Sequence, residues 1–273
     1  MQTSEAGAFF HEGKLAEAIA AANAAVKQSP TDLGARLLLA ELLLFDGKLE
    51  RADTMLDAAA SLEPEAAMVL AEFRQLLRAE QARRQVLSEG RVPEFLGEPT
   101  STQTHLLQAL VALRNGDAAA AAEQAQAAEA ARPAVTGTGG DARFSDFRDA
   151  DDLCAGNFEV LTTTGKYFWI PTERVVSMEF HPAKRPRDLY WRRCSMIVRD
   201  GPDGDVYLPA LYPADDSTGH LLRLGRGTEW SETAPVRGTG QRLFLVGEEG
   251  VPMQQLDTLE FASTQQLDTL EFA

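Results

Sequence analysis

Cys194, His181 and Asp188 are the residue types of a nucleophile, a general base and an orienting acid. Such a trio could carry acyl transfer if the fold brought thiol, imidazole and carboxylate together. No local motif joins them. His181 precedes Pro182 in a charged loop, and Cys194 reads as a strand residue. Asp146, Asp149, Asp151 and Asp152 form an acidic cluster. A calcium loop of the EF-hand type needs glycine at its sixth position and glutamate at its twelfth. Counted from Asp149, those positions fall on Cys154 and Val160, so the cluster reads as a solvated, helix-starting run. Lys184, Arg185, Arg187, Arg192 and Arg193 form a basic patch interleaved with Tyr190 and Trp191, a pattern that can hold nucleic acid by charge and stacking. The net charge of −15 opposes that use, and the expected counterpart is an acidic protein surface or the chain's own helical half. Trp169, Trp191 and Trp230 are expected in a core. None of these clusters calls for a cofactor or a metal.

The elements that would position these residues fall into two kinds. Gly13-Lys14-Leu15-Ala16-Glu17-Ala18 is answered by Gly47-Lys48-Leu49-Glu50-Arg51-Ala52, and Pro30 by Pro64, both at an offset of 34 residues. That is the period of the tetratricopeptide helical hairpin. Small residues at Ala18, Ala22 and Ala25, and at Ala40, Ala52 and Ala59, let neighbouring helices approach closely. A third copy runs to Pro133, with its turn at Gly116 and small residues at Ala109, Ala121, Ala125 and Ala128. Between the second and third copies, residues 65–97 form an altered unit. It reads as a long helix from about Glu65 to Glu89, with Arg74, Arg78, Arg83 and Arg84 on a polar face, followed by a Pro/Gly-punctuated loop.

Composition changes at Arg132. Residues 133–145, rich in Gly and Thr, read as a linker. Beyond it, Phe158–Thr163, Tyr167–Ile170, Arg174–Phe180, Ser195–Arg199, Val206–Leu208 and Arg242–Val246 are strand candidates, separated by turn signals at Thr164-Gly165-Lys166, Asp200–Gly204 and Gly238–Gly240. The expected fold class is α+β: N-terminal TPR-like hairpins over 1–132, then a small antiparallel β-rich domain over 146–250. Residues 251–273 read as a tail in which Gln254–Ala262 returns verbatim as Gln265–Ala273, a repeat given no functional weight. Charge divides evenly, −7 over residues 1–132 and −8 over the rest, so neither half is basic enough to favour nucleic acid or an anionic membrane. No apolar run reaches transmembrane length, the N-terminus shows no signal-peptide pattern, and the two cysteines form no CxxC pair. These points lead to the expectation of a cytoplasmic protein.

In its second half the chain carries Val160-Leu-Thr-Thr-Thr-Gly-Lys-Tyr-Phe-Trp-Ile-Pro171, Arg185-Pro-Arg-Asp-Leu-Tyr-Trp191, Val206-Tyr-Leu-Pro-Ala-Leu-Tyr-Pro213, Leu224-Gly-Arg-Gly-Thr-Glu-Trp230 and Gly240-Gln-Arg-Leu-Phe-Leu245. In the first half, Glu89-Gly-Arg-Val-Pro-Glu-Phe-Leu96 joins them. On these strings the sequence resembles the ImpE/TagJ family of type VI secretion accessory proteins, over nearly its whole length to about Gly250. The resemblance implies a cytoplasmic, non-enzymatic accessory protein that binds the N-terminal helix of the small sheath subunit. It further implies a link to recycling of the contracted sheath by a ClpV-type AAA+ ATPase.

The repeat suggests where such a helix would lie. The consensus groove positions fall on Phe10 and His11, on Leu37, Glu41 and Leu44, and on Leu106, Leu110 and Leu113. An apolar groove with an acidic rim suits an amphipathic helix carrying positive charge. Two other readings stay open at this point: these leucines are core, with the groove filled from within, or the β domain is a ligand-binding or hydrolase-like module regulated by the repeats.

Overall fold

Gly13, Gly47 and Gly116 adopt φ of 79°, 76° and 76°, the left-handed region that glycine enters without steric cost. Each closes a helical hairpin at the turn the repeat assigns to it. In the computed structural model, which describes residues 4–140 and 142–262, the hairpins are α1 (Glu5–His11) with α2 (Leu15–Gln28), α3 (Leu33–Phe45) with α4 (Leu49–Leu62), and α6 (Ser101–Arg114) with α7 (Ala118–Ala131). The altered unit between them is α5 (Ala67–Ser88), a single long helix. Side chains cap several of these helices. Asp32 accepts from the Ala35 amide at 3.1 Å, and Thr100 and Gln103 form a reciprocal capping box at the start of α6. Ala18, Ala40, Ala52, Ala59, Ala109 and Ala121 are all fully buried, as close helix packing requires.

Among the described residues, thirteen strands and one short α-helix follow: β1 (Gly137–Gly139), β2 (Ala142–Phe144), β3 (Phe147–Asp149), β4 (Asn157–Leu161), β5 (Tyr167–Pro171), β6 (Val175–Phe180), β7 (Trp191–Val198), β8 (Asp203–Pro209), α8 (His220–Arg223), β9 (Thr228–Trp230), β10 (Gly238–Gly240), β11 (Leu243–Val246), β12 (Glu249–Pro252) and β13 (Thr258–Phe261). Eight of the strands form an antiparallel sheet in the order β2-β1-β13-β6-β7-β8-β4-β5. A three-stranded sheet, β12-β11-β3, packs on its inner face, and β9 pairs with β10. Between the two larger sheets lies a phenylalanine cluster. The Phe147 ring is centred 5.1 Å from that of Phe244, 5.5 Å from Phe158 and 5.4 Å from Phe261.

The α+β class is what the sequence leads one to expect, but the structure differs at three places. Residues 133–145 are not a free linker: they hold β1 and β2, with Gly137 opposite both Phe261 and Phe144. A Cβ at Gly137 would lie 2.2 Å from the Glu260 carbonyl oxygen and 2.6 Å from the Phe144 ring, so this glycine serves close strand packing rather than flexibility. Gly238–Gly240, read as a turn, is strand β10. The sheet also continues past residue 250. The first copy of the terminal repeat contains β13, which runs between β1 and β6 and buries Leu256, Leu259 and Phe261. The second copy, Gln265–Ala273, lies outside the described residues.

Helices and sheet share a core. One apolar cluster unites Phe10, Leu44 and Phe45 of the hairpins with Tyr190, Trp191, Leu211 and Leu224 of the β domain. A second unites Leu106 and Leu110 with Tyr167 and Trp169. β4 is consequently buried on both faces: Phe158 and Val160 point into the β core, while Glu159 and Leu161 meet the helical side.

Candidate functional site

The expected groove positions fall in two clusters, Phe10 and Leu44 in one and Leu106 and Leu110 in another. Phe10, Glu41, Leu44, Leu106 and Leu110 are buried, Leu37 and Leu113 are half-buried, and His11 is exposed. Along the first two hairpins the filling material is the 3-10 turn Pro186–Leu189 with Tyr190 and Trp191 behind it. An aromatic chain runs across the junction, Phe10 to Phe45 to Tyr190 to Trp191, each step with ring centroids 5.3 Å apart. The third hairpin is covered by Tyr167 and Trp169. The chain's own β domain thus covers much of the expected groove, leaving two hollows of about 230 Å3, one beside Leu44, Phe45 and Tyr190 and one beside Phe10, His11 and Leu189. The sequence could not distinguish the two cases, because a groove and an internal interface both require an apolar helix face.

Charges are buried along the same junction. Arg83 of α5 donates to both Glu159 oxygens, at 2.8 and 3.2 Å, and to the Leu211 carbonyl at 3.2 Å. Arg242 also pairs with Glu159, and its second arm lies 3.3 Å from Asp149. The Tyr167 hydroxyl donates to Glu159 and accepts from the Trp169 indole at 2.7 Å. Burial pushes the Glu159 carboxyl up, but Arg83 and Arg242 outweigh it and hold the group well below the usual carboxylate range. Burial lifts Asp149 to about 6, against the pull of Arg242. One turn earlier on the same face of α5, Glu80 lies 3.4 Å from Arg83 and accepts from the Trp191 indole at 3.1 Å and from the Tyr190 hydroxyl at 3.3 Å. Arg83, expected on a polar helix face, is thus an internal residue, only 3% exposed.

The residues considered for catalysis do not form a catalytic site. Cys194 is buried on β7, where burial pushes its thiol up to about 12. Asp188 accepts from the amides of Lys184 and Arg185, closing its own local turn. His181 instead faces Ser195, with Nε2 3.0 Å from Oγ. The Ser195 hydroxyl proton is directed to Asp205 Oδ1 at 2.6 Å, so the serine accepts from the imidazole rather than giving it a proton. That is the reverse of what an activated nucleophile requires. Cys154 is likewise buried, its thiol pushed well above the usual range by burial and by Glu159.

The acidic cluster is not a solvated run. Asp149 and Asp151 are each 1% exposed, and Asp151 accepts from the Leu153 and Gly238 amides and pairs with Arg237. The basic patch is divided by the fold: Lys184, Arg185 and Arg193 face solvent, whereas Arg187 and Arg192 are buried. Arg187 stacks on Phe73 and lies 3.8 Å from Glu41, so the helical half is indeed its counterpart. Trp169 and Trp191 are core residues, but Trp230 is 39% exposed. Among the described residues no group of His, Cys, Asp and Glu side chains has the arrangement of a metal site, and no helix is long and apolar enough to cross a membrane.

An open apolar hollow lies on the β domain. Val160, Phe168, Ile170, Met196, Val198 and Val206 line a cavity of about 540 Å3 on the inner face of β4, β5, β7 and β8, near the tips of the two hairpins. All six are even-numbered, because side chains alternate along each strand and these registers pair even with even. Their strands are legible in the sequence. The opening is not, because it depends on where the covering layer stops.

The wider comparisons follow the same architecture. The tetratricopeptide repeat profile matches residues 9–73, and the profile of the ImpE protein family matches residues 141–260. The type VI secretion system accessory component TagJ of Pseudomonas aeruginosa is 31% identical over 254 residues, covering 92% of this chain and 89% of that protein. The chain belongs to the ImpE/TagJ family. An X-ray crystal structure of a Vibrio parahaemolyticus protein superposes with a TM-score of 0.89 at 29% identity, covering 96% of this chain and 99% of that one. The arrangement of hairpins against sheet, and not only each half, is therefore similar to a solved structure.

Proposed function

We propose that this chain is a non-catalytic adaptor of a type VI secretion system. It holds the N-terminal helix of the small sheath subunit in the cytoplasm and so connects the sheath to recycling by a ClpV-type ATPase. The observation that carries this reading is the match along both halves to a relative named as a type VI secretion accessory component. The site chemistry agrees with it: both cysteines are buried thiols raised in pKa, and the one Ser–His–Asp contact has its proton directed the wrong way. Strong negative charge on a repeat scaffold suits a protein ligand with basic residues.

A fluorescence anisotropy titration of the full chain against a labelled peptide of its own system's small sheath subunit N-terminus tests the reading. Saturable binding that weakens with added salt is expected. A peptide that stays free at high micromolar protein would remove the sheath subunit as the partner.

A further inference from the structure

We infer that the slot between β1 and β6 is a binding site for a nine-residue sequence that this chain carries twice, and that either copy fills it. Gln254–Ala262 and Gln265–Ala273 are identical residue for residue, at an offset of 11. The first copy supplies β13 and most of the 3-10 turn that leads into it. β13 runs antiparallel to both neighbours, with Leu259 opposite Gly139 on one side and Met178 on the other. A slot that accepts a sequence accepts it again from elsewhere in the chain, provided the connection reaches. Recognition here is by side chain as well as by backbone. Leu259 and Phe261 are buried, and the Phe261 ring is centred 5.8 Å from that of Phe144 and 5.4 Å from that of Phe147. A Cβ on Gly139 would come within 3.3 Å of the Leu259 side chain, so the bare glycine makes room for leucine at this position.

The polar contacts of the slot also fall within the repeated residues. The Gly140 amide donates to the Thr258 carbonyl at 3.2 Å, the Phe180 amide to the Asp257 carbonyl at 2.7 Å, and the Ala262 amide to the Thr136 carbonyl at 2.9 Å. Arg192 donates to the Gln254 side chain at 3.1 Å and to the Leu256 carbonyl at 3.2 Å. The second copy offers the same groups in the same order, with Leu270 and Phe272 in place of Leu259 and Phe261. The connection decides which copy is resident. Both copies begin with two glutamines, so Gln254 can keep its place while Gln266 takes that of Gln255. Gln255–Gln265 then forms a loop, and it leaves toward solvent because Gln255 is exposed. Closing that loop costs entropy that direct continuation from Met253 avoids, so the first copy is resident and the second is its replacement. A segment tethered to the same chain is presented at high local concentration, which favours replacement within one chain over exchange between chains.

The test uses full-length chains. Leu270→Asp with Phe272→Asp is expected to leave the thermal melt unchanged, because the first copy stays in the slot. Leu259→Asp with Phe261→Asp is expected to keep a cooperative melt and near-UV dichroism at a lowered midpoint, because the second copy takes over. All four substitutions together are expected to lose both signals. A disulfide locates the replacement strand. Ser177 stands opposite Glu260 in the resident register, and the native Cys154 and Cys194 are buried. In the Leu259→Asp, Phe261→Asp chain, Ser177→Cys with Glu271→Cys is expected to form a bond within one chain on mild oxidation, mapped by mass spectrometry. The inference is overturned if the first-copy variant loses its melt as fully as the fourfold variant, or if that bond does not form. It is equally overturned if the fourfold variant melts like the parent, or if Leu270→Asp with Phe272→Asp alone abolishes the melt. A bond joining two chains would give the slot to a second copy of this protein and overturn replacement within one chain.

Discussion

Glu159 is a carboxylate enclosed by two guanidinium groups, a phenol and a thiol. Its value to the fold lies in being matched, because an ion pair in a dry interior must first offset the loss of hydration. Glu159→Gln leaves Arg83 without a carboxylate across the junction and Arg242 with Asp149 alone. The expected loss is about 3–5 kcal/mol, read as a lower urea midpoint. Glu41 behaves differently. Burial raises its carboxyl from 4.5 to about 7, with Arg187 and Arg185 pulling down and Asp188 pushing up. The folded chain therefore holds this proton more tightly than the unfolded one. Stability from this group is present in full below pH 4.5, falls as pH rises toward 7, and is flat above. Replacing Glu41 with Gln should remove up to about 3 kcal/mol of the stability difference between pH 5 and pH 8, measured by urea unfolding at both. An unchanged pH slope would mean that Glu41 does not titrate in this range.

At the scale of elements, the most informative strand is β13. It lies between β1 and β6, so its removal separates β1 and β2 from the rest of the sheet. Arg192 also depends on the segment that leads into it, donating to the Met253 and Leu256 carbonyls at 3.2 Å each. A chain ending at Gly250 is expected to lose the fixed tertiary packing of the β domain, seen as loss of near-UV dichroism and of a cooperative melt. Retention of both would show that the sheet does not need its third strand. The same region shows how local reading misleads. Gly137-Thr138-Gly139 and Gly238-Thr239-Gly240 look like flexible punctuation, yet each is a strand in which a Cβ would strike Phe144 or Tyr212. Strand signals based on bulky residues pass over such positions, because there the neighbour supplies the bulk.

For the whole molecule, the decisive feature is a core that crosses from helices to sheet. The repeat hairpins use their first helices to hold the chain's own β domain, and α5 supplies the polar clasp through Glu80, Arg83 and Arg84. An interface with shared apolar clusters and buried ion pairs is more like a domain interior than a transient contact. In this chain the repeats support the sheet from within.

Periodicity and composition by themselves determined the three hairpins, the long α5 and the change to strands after Arg132. A 34-residue echo, turn glycines and small-residue stripes are local consequences of helix geometry. The specific strings between Val160 and Leu245 identified the family. Only the tertiary structure decided that Leu44 and Leu110 are core and that Arg83, Arg187 and Asp149 are internal. The reason is physical: the same apolar face stabilises a helix whether a domain or a partner covers it, and chain order alone does not say which arrives first.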